Sequence, residues 1–172
     1  MALILLRHTR PDVAEGVCYG RSDLGLAACF DAEAGRLAAE LPEVARVVTS
    51  PLGRCRRLAE RIAAARGLPL AVEARLIEMD FGRWEGVAWD DIPRRELDAW
   101  AADLLHARPH GGETVAELAA RTEAALAALS CGPRPVLAVT HAGVIKAVRA
   151  RGAGPAAWQG TLGFGGWETH PL

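Results

Sequence analysis

The segment Ala2-Leu3-Ile4-Leu5-Leu6-Arg7-His8 is the strongest indication of the architecture, because five apolar residues lead directly into two polar ones. A short apolar run with such an end is typical of a strand that is buried on both faces of a parallel sheet. Two later runs repeat the pattern: residues 46–49 lead into Ser50-Pro51, and residues 135–140 end at His141. Their alternation with Ala- and Leu-rich helical stretches predicts an α/β fold, a three-layer α/β/α sandwich with a mostly parallel central sheet.

The rest of the chain fits helices and short strands between these runs. Ser50 is expected to cap a helix that has Pro51 at its first position and stops at Gly67. Residues 75–93 have no clean period and predict a long functional loop. The other elements that we predict are helices at 31–41, 94–106, 113–129 and 143–151, a short strand at 70–73, and a last strand near 161–168 in the Gly-rich tail from residue 152. We predict one domain over residues 1–172.

Composition excludes several classes of protein. With 51% hydrophobic and 24% charged residues, the 172-residue chain has the balance of a globular protein. A formal net charge of -1 provides no field for nucleic acid or for a membrane surface, so neither partner is expected. The apolar run before Arg7 is too short for a signal peptide and lacks a preceding positive region, which predicts a cytoplasmic protein. The oligomeric state is left open, with a homodimer as one option.

The sequence predicts no metal and no other cofactor. Its four cysteines form no CxxC pair, and His106 and His110 form no HExxH motif. The chain also contains no GxGxxG after the first strand and no GxxxxGK[ST]. Cys55 and Arg61 match the spacing of cysteine phosphatases, but the residues between them are helical in pattern rather than a Gly-rich loop.

The polar groups at the strand ends are candidates for an anion site. Ligands of open α/β sheets bind beyond the carboxyl ends of the strands. If the three strands are parallel neighbours, Arg7, His8, Arg54 and His141 converge on one crevice. Arg54 lies in the first turn of its helix, where a cation is disfavoured and a bound anion would relieve the conflict. The alternative is a solvated arginine and two structural histidines.

Five segments together resemble the histidine phosphatase (phosphoglycerate mutase-like) family. They occur in the family's order and extend from residue 6 to residue 143. The segments are Leu6-Arg7-His8-Thr9, Ser50-Pro51-Leu52-Gly53-Arg54, the loop from Leu76 to Gly86, Gly111-Gly112-Glu113-Thr114, and His141-Ala142-Gly143. The resemblance implies a phosphoglycerate mutase-like fold and a metal-independent phosphatase.

The resemblance also implies a role for each motif residue. His8 would be the nucleophile, which suits an imidazole whose ordinary pKa of about 6.5 leaves it neutral near pH 7. Glu78 would be the general acid and then the general base, although Asp80, Glu85 and Glu113 are competing acids. Arg7, Arg54 and a protonated His141 would neutralise the phosphoryl oxygens.

Other family positions imply substrate contacts and two departures. Thr9 stands where the family usually has Gly, so that its hydroxyl can help to bind phosphate. Ala14 stands where an Asn is common and is not a phosphate ligand. The substrate contacts that the resemblance implies, beyond the catalytic set, are Thr9, Tyr19, Gly20, Arg21 and Ala142.

The substrate is expected to be a small phosphorylated metabolite. The compact stretch from Trp84 to residue 111 lacks the insertion of related mutases, which favours hydrolysis over isomerisation. Residues 78–85, the acid loop that begins at Glu78, and residues 16–26 resemble the corresponding segments of α-ribazole-5′-phosphate phosphatases of cobalamin biosynthesis. Trp84, Trp89 and Trp100 are a candidate stacking platform for an aromatic base, with core packing as the alternative.

Three other functions stay open at this point. They are a small phosphoglycerate mutase, a phosphohistidine protein phosphatase and a non-catalytic phosphate-binding module. The presence of both His8 and Glu78 argues against the third, because a protein that only binds phosphate needs no acid.

Overall fold

A five-stranded sheet forms the centre of the protein, for which a computed structural model describes residues 2–151 and 158–172. The strand order is β3-β2-β4-β1-β5, and only β5 runs antiparallel to its neighbour. The strands are β1 (Ala2–Arg7), β2 (Arg46–Thr49), β3 (Leu70–Val72), β4 (Val136–Thr140) and β5 (Trp167–Pro171). The predicted α/β fold with a mostly parallel sheet is therefore confirmed.

Helices cover both faces of this sheet. They are α1 (Phe30–Glu40), α2 (Gly53–Arg66), α3 (Arg94–Ala102), α4 (Val115–Leu129) and α5 (Ala142–Arg149). Alternate side chains of β1 point to opposite faces, as the strand period requires. Ile4 packs into the core shared with α1 and α2, and Leu5 packs into the core shared with α4 and α5. These two cores make the three layers that the sequence predicts.

The register of the sheet aligns the ends of three strands. Arg7 of β1 pairs with Thr140 of β4, and the His8 amide donates to the Thr140 carbonyl at 3.0 Å. On the other side of β4, the Ser50 amide donates to the Val139 carbonyl at 3.0 Å. The residues that follow β1, β2 and β4 thus lie at one edge, where a ligand site is expected.

Four predicted helix boundaries differ from the structure by two or more residues, and one of them is the end of α5, at Arg149 rather than at 151. The α2 helix begins at Gly53, with Leu52 as N-cap, because the Ser50 side chain is bound to His141 and does not cap the helix. The α4 helix begins at Val115, after a capping box in which Thr114 and Glu117 exchange hydrogen bonds. The α3 helix ends at Ala102 rather than at 106, since the leucines at 104 and 105 pack against the core instead of continuing the turn.

The last strand lies later than predicted, at Trp167–Pro171 instead of 161–168. The Gly165 amide contacts the carbonyls of both Arg7 and His8 at 3.2 Å, so the segment crosses the end of β1 before it pairs with it. The predicted loop at 75–93 contains short 3-10 turns, the last at Trp89–Asp91. Part of the Gly-rich tail, residues 152–157, lies outside the described residues. Among the described residues, no helix is both long enough and apolar enough to cross a membrane.

Candidate active site

A cleft of about 320 Å³ opens at the carboxyl edge of the sheet. Its polar end contains Arg7, His8 and Glu78, which come from β1, the residue after it and the loop that follows β3. The outer wall is largely apolar and aromatic; the residues that form it include Tyr19, Phe81, Trp89, Trp100, Leu104 and Trp158. The site therefore joins a charged pocket to an apolar surface.

The geometry of His8 fixes its tautomer. The ring is 2% exposed, and its Nδ1 lies 2.7 Å from the carbonyl oxygen of Thr9. A carbonyl can only accept, so Nδ1 carries the proton and Nε2 is the unprotonated nitrogen. Burial, followed by the nearby Arg54 and Arg7 charges, lowers the pKa of His8 to about 3. His8 is therefore a neutral imidazole near pH 7, with a basic nitrogen at Nε2.

Arg54 is held rigidly beside this nitrogen. Its guanidinium is fully buried and donates to the carbonyls of Ser22 at 2.7 Å and Gly20 at 2.6 Å. The Nε atom of Arg54 lies 3.3 Å from His8 Nε2. Because the Arg54 side chain has carbonyl partners and no carboxylate among its contacts in the described chain, its positive charge is available to an anion.

Arg7 is a second cation on the same side of the cleft. Its Nη1 donates to the Leu162 carbonyl at 2.6 Å, and its guanidinium carbon lies 3.9 Å from the centre of the Phe164 ring. Its Nε is buried and has no hydrogen-bond partner in the described chain. Burial lowers the pKa of Arg7, partly offset by Tyr19 and Glu78. An anion in the cleft would supply the missing acceptor.

His141 lies beneath the cleft in a neutral state. It is fully buried, and its Nε2 lies 2.7 Å from the hydroxyl oxygen of Ser50. Burial, and then the charges of His8, Arg54 and other cations, holds the pKa of His141 well below its ordinary value. The protonated His141 expected from the resemblance is thus not favoured by the protein's own groups. A phosphate dianion nearby would raise the pKa of the imidazole, because it favours the charged form.

Glu78 lines the same cleft as His8, and its carboxylate lies at the start of α5. Its carboxylate accepts from the Met79 amide at 2.9 Å and from the Gly143 amide at 3.1 Å. A Cβ at Gly143 would overlap Glu78 Oε1, so only glycine allows the carboxylate to lie this close to the helix. The first turn of a helix favours negative charge, which suits a carboxylate there.

The structure separates the other predicted substrate contacts into two groups. Tyr19 and Ala142 line the cleft. Gly20 supports Arg54 through its carbonyl, and a side chain there would strike the Met79 carbonyl. Arg21 lies outside the cleft and pairs with Asp80 and Glu113, each at 3.6 Å. The Thr9 hydroxyl is buried without a partner in the described chain, and Thr9 is not part of the cleft wall.

Of the three tryptophans considered as a stacking platform, two line the cleft. Trp84 is 2% exposed and packs in the core, so it offers no free face. Trp89 and Trp100 line the cleft, and their ring planes lie within 14° of parallel with centres 6.4 Å apart. Phe81 meets both edge-on. The two indoles are thus fixed by aromatic neighbours and face the space beyond the charged end.

The sequence analysis missed Lys146, which also lines the cleft. It lies on α5 one turn after Ala142, and this i, i+4 spacing from a predicted site residue is the signal that would have found it. Burial lowers the pKa of Lys146, and it forms no ion pair with the described residues. Within the ranges 2–151 and 158–172, no three His, Cys, Asp or Glu side chains group in a way that would hold a metal ion.

Comparison with known proteins agrees with this geometry. A probable phosphoglycerate mutase of Klebsiella pneumoniae is 36% identical over 151 residues, which cover 82% of this chain and 69% of that protein. The α-ribazole phosphatase of Shigella flexneri is similar in structure, with a TM-score of 0.87 at 29% identity, over 98% of this chain and 89% of that one. A mycobacterial glucosyl-3-phosphoglycerate phosphatase gives a TM-score of 0.82 at 29% identity, over 98% and 88%.

A sequence profile of one family matches residues 3–161, a range that includes β1 except for Ala2, all of β2 and β4, and every charged group of the cleft. Because this match extends over most of the chain, the protein belongs to the histidine phosphatase superfamily (branch 1).

Proposed function

We propose that this protein is a phosphomonoester hydrolase that acts through a phosphohistidine at His8, with α-ribazole 5′-phosphate as its substrate. One observation carries the catalytic part of the proposal. The Thr9 carbonyl holds the proton of His8 at Nδ1, which leaves the Nε2 lone pair beside the buried Arg54 guanidinium, in a cleft that Arg7 and Glu78 also line. A neutral nucleophile, a cationic pocket and an acid are the groups that phosphoryl transfer to histidine requires.

In the first step, His8 Nε2 attacks phosphorus and the bond from phosphorus to the ester oxygen breaks. Arg7 and Arg54 neutralise the equatorial oxygens, and the anion displaces the contact between Arg54 and the lone pair of His8. The bound phosphate dianion favours the protonated form of the neighbouring Glu78, which then gives its proton to the leaving oxygen. The products are an alcohol, phosphorylated His8 and the Glu78 carboxylate.

In the second step, water attacks the phosphorus of phosphorylated His8. The Glu78 carboxylate takes a proton from this water, and the bond between Nε2 and phosphorus breaks. His8 returns to a neutral imidazole, Glu78 is protonated again, and inorganic phosphate leaves. His141 contributes charge in both steps if it takes up a proton when the dianion binds.

The proposed substrate follows from the outer part of the cleft. Trp89, Trp100 and Trp158 offer a wide aromatic wall to the leaving group, which suits a flat base better than a short glycerate. The likeness to an α-ribazole phosphatase, at a TM-score of 0.87, supports the same choice. A cytoplasmic location and a small phosphorylated metabolite as partner belong to this proposal, and the oligomeric state stays open.

A phosphoglycerate mutase is the second candidate, because the relatives at 35–36% identity include proteins named as probable mutases. A mutase returns the phosphoryl group from histidine to a sugar acid, so it must exclude water from the phosphoenzyme. Conversion of 3-phosphoglycerate to 2-phosphoglycerate without release of phosphate would favour this candidate over the hydrolase.

Rapid-quench labelling tests the nucleophile and the acid. The wild-type protein should form an acid-labile, base-stable phosphoenzyme that is absent in His8→Ala and accumulates slowly in Glu78→Gln. Labelling of the His8→Ala variant would point to another nucleophile and would refute the mechanism.

A substrate panel tests the specificity. We expect phosphate release from α-ribazole 5′-phosphate to be far faster than from 3-phosphoglycerate or glucosyl-3-phosphoglycerate. Equal or reversed rates would reject the substrate while leaving the phosphohistidine mechanism in place.

A further inference from the structure

Arg121 of α4 uses every hydrogen-bond donor that a guanidinium has. Its Nη1 donates to the carbonyls of Arg75 and Ile77, each at 2.6 Å, and its Nη2 donates to the carbonyl of Glu78 at 3.0 Å. The remaining two N–H groups donate to the carboxylate of Glu113, at 2.6 and 2.8 Å. An arginine has five such donors, and all five have partners here.

We infer that Arg121, locked by Glu113, is a positioning residue that holds Glu78 at the distance from the reacting bond that proton transfer needs. This inference depends on the role proposed above for Glu78 as general acid and base. Arg121 does not line the cleft, and its contact with the acid is made through the backbone of the loop that carries Glu78. Its charge also contributes to the lowered pKa of His141, so the test needs a variant that keeps this charge.

The segment between β3 and α3, which contains the acid loop, is held in shape by hydrogen bonds from side chains of other elements. It has only short 3-10 turns, so it lacks the regular backbone hydrogen bonds of a long helix or strand. Arg121 holds the carbonyls of 75, 77 and 78, and the Thr140 hydroxyl donates to the carbonyl of Leu76 at 2.9 Å. Four successive carbonyls are thus fixed by side chains from α4 and β4. Glu78 is the last residue of this run.

Glu113 keeps the guanidinium in place and extends the same support beyond Glu78. Its amide donates to the Asp80 carbonyl at 2.9 Å, and one of its carboxylate oxygens lies 3.4 Å from the Asp80 amide. The Glu113 and Arg121 side chains are 9% and 16% exposed, so little water competes for these bonds. A largely buried, two-point ion pair with every donor satisfied has one geometry rather than many.

The arrangement links backbone position to chemistry. The Glu78 carboxylate reaches across to the Gly143 amide at 3.1 Å, and this bond fixes only one end of the side chain. Arg121 fixes the other end, at the main chain of the same residue. A displacement of about 1 Å at a reacting group can cost about 10²-fold in rate.

Arg121→Lys is the variant that tests this inference, because lysine keeps the charge but has three donors instead of five. Pre-steady-state phosphoenzyme formation is measured with three substrates: p-nitrophenyl phosphate, α-ribazole 5′-phosphate and 3-phosphoglycerate. The nitrophenolate leaves without a proton, whereas the two alkyl esters need the acid. We expect formation from the better alkyl ester to fall about 10²-fold and that from p-nitrophenyl phosphate to change less than about 3-fold.

Two further variants complete the design. Arg66→Lys is the matched control, because Arg66 also donates to three carbonyls, those of Ala38, Leu41 and Pro42, but these lie in and after the last turn of α1, and Arg66 does not line the cleft. It should leave all three rates unchanged. Glu113→Gln weakens the ion pair with Arg121 and leaves the guanidinium itself unchanged. The rate of phosphoenzyme formation should fall less than in Arg121→Lys, with the same dependence on the leaving group. If thermal unfolding shows that Arg121→Lys does not fold, Glu113→Gln provides the test in its place.

A double variant decides whether Arg121 acts through Glu78. In Glu78→Gln the acid is already absent, so adding Arg121→Lys should slow alkyl ester cleavage no further. Two results would overturn the inference. One is an equal fall in the rate of phosphoenzyme formation with all three substrates in Arg121→Lys. The other is a double variant whose rate falls by the product of the two factors that the single variants show. If Glu78→Gln itself shows no dependence on the leaving group, the proposed role of Glu78 fails instead, and the inference fails with it.

Discussion

The variant Gly143→Ala separates the chemistry of the cleft from the stability of the fold. A Cβ at this position would lie about 1 Å inside the 3.4 Å of an ordinary contact with Glu78 Oε1, and 3.3 Å from a methyl carbon of Leu118. The carboxylate must retreat by about that distance, and its bond to the Gly143 amide is strained or lost. We expect kcat/KM for an alkyl phosphate to fall about 10²-fold.

The same substitution should cost little stability. Alanine is favoured over glycine in a helix by about 1 kcal/mol, and this gain offsets the loss of one hydrogen bond of about the same size. Gly35→Ala in α1 is the matched control, because nothing lies within 4 Å of its added Cβ. It should raise the free energy of unfolding by up to about 1 kcal/mol with no change in rate.

Steady-state phosphate release and thermal unfolding of both variants test the prediction. Full activity of Gly143→Ala would refute the close approach of Glu78 to α5. A loss of activity that only follows a large drop in Tm would show that the residue supports the fold rather than the acid.

Three other predictions follow from the site. The pKa of His8 is lowered to about 3, so between about pH 6.5 and pH 3 the unfolded chain binds a proton at His8 and the folded protein does not; the free energy of unfolding therefore falls as pH falls through that window. His8→Gln should remove about 2 kcal/mol of the stability loss between pH 7.5 and pH 5. An unchanged slope of the unfolding free energy against pH would contradict this. Lys146→Met should raise Tm by a few degrees, because it removes a desolvated ammonium, and should raise KM about 10-fold; an unchanged KM would exclude contact with substrate. Trp89→Leu should raise KM for α-ribazole 5′-phosphate about 3- to 10-fold and leave that for 3-phosphoglycerate unchanged, and equal effects on both would argue against stacking.

The strands were predictable because each carries its own signal. Residues 46–49 form a strand with the predicted bounds, and the runs at 2–6 and 135–140 each differ by one residue. The run at 2–6 is apolar throughout, and the other two are apolar at their centres, at residues 47–48 and 136–139; burial on both faces of a parallel sheet favours that composition. The end of each run then located Arg7, His8 and His141, since a side chain just after a buried strand must lie at the sheet edge.

The features that could not be predicted from the sequence depend on contacts between distant segments of the chain. Ser50 has the right type for a helix cap, but its bond to His141, 91 positions away, decides its role. The strand near 161–168 was misplaced because the Gly165 amide is bound to the end of β1. Arg121 was overlooked for the same reason: its helix was predicted, yet the direction in which Arg121 points depends on how α4 packs against the rest of the core. A pattern within one segment does not contain that information.

The position of β1 has a consequence for how the protein is made. This strand lies between β4 and β5, so both of its neighbours are translated more than 120 residues after it. On the ribosome, its run of leucine and isoleucine has no partner strand until nearly all of the described chain has emerged. Pairing between segments so distant in sequence is slow and leaves apolar surface open to aggregation. Production at low temperature, or with a chaperone that shields nascent chains, should therefore increase the yield of folded protein.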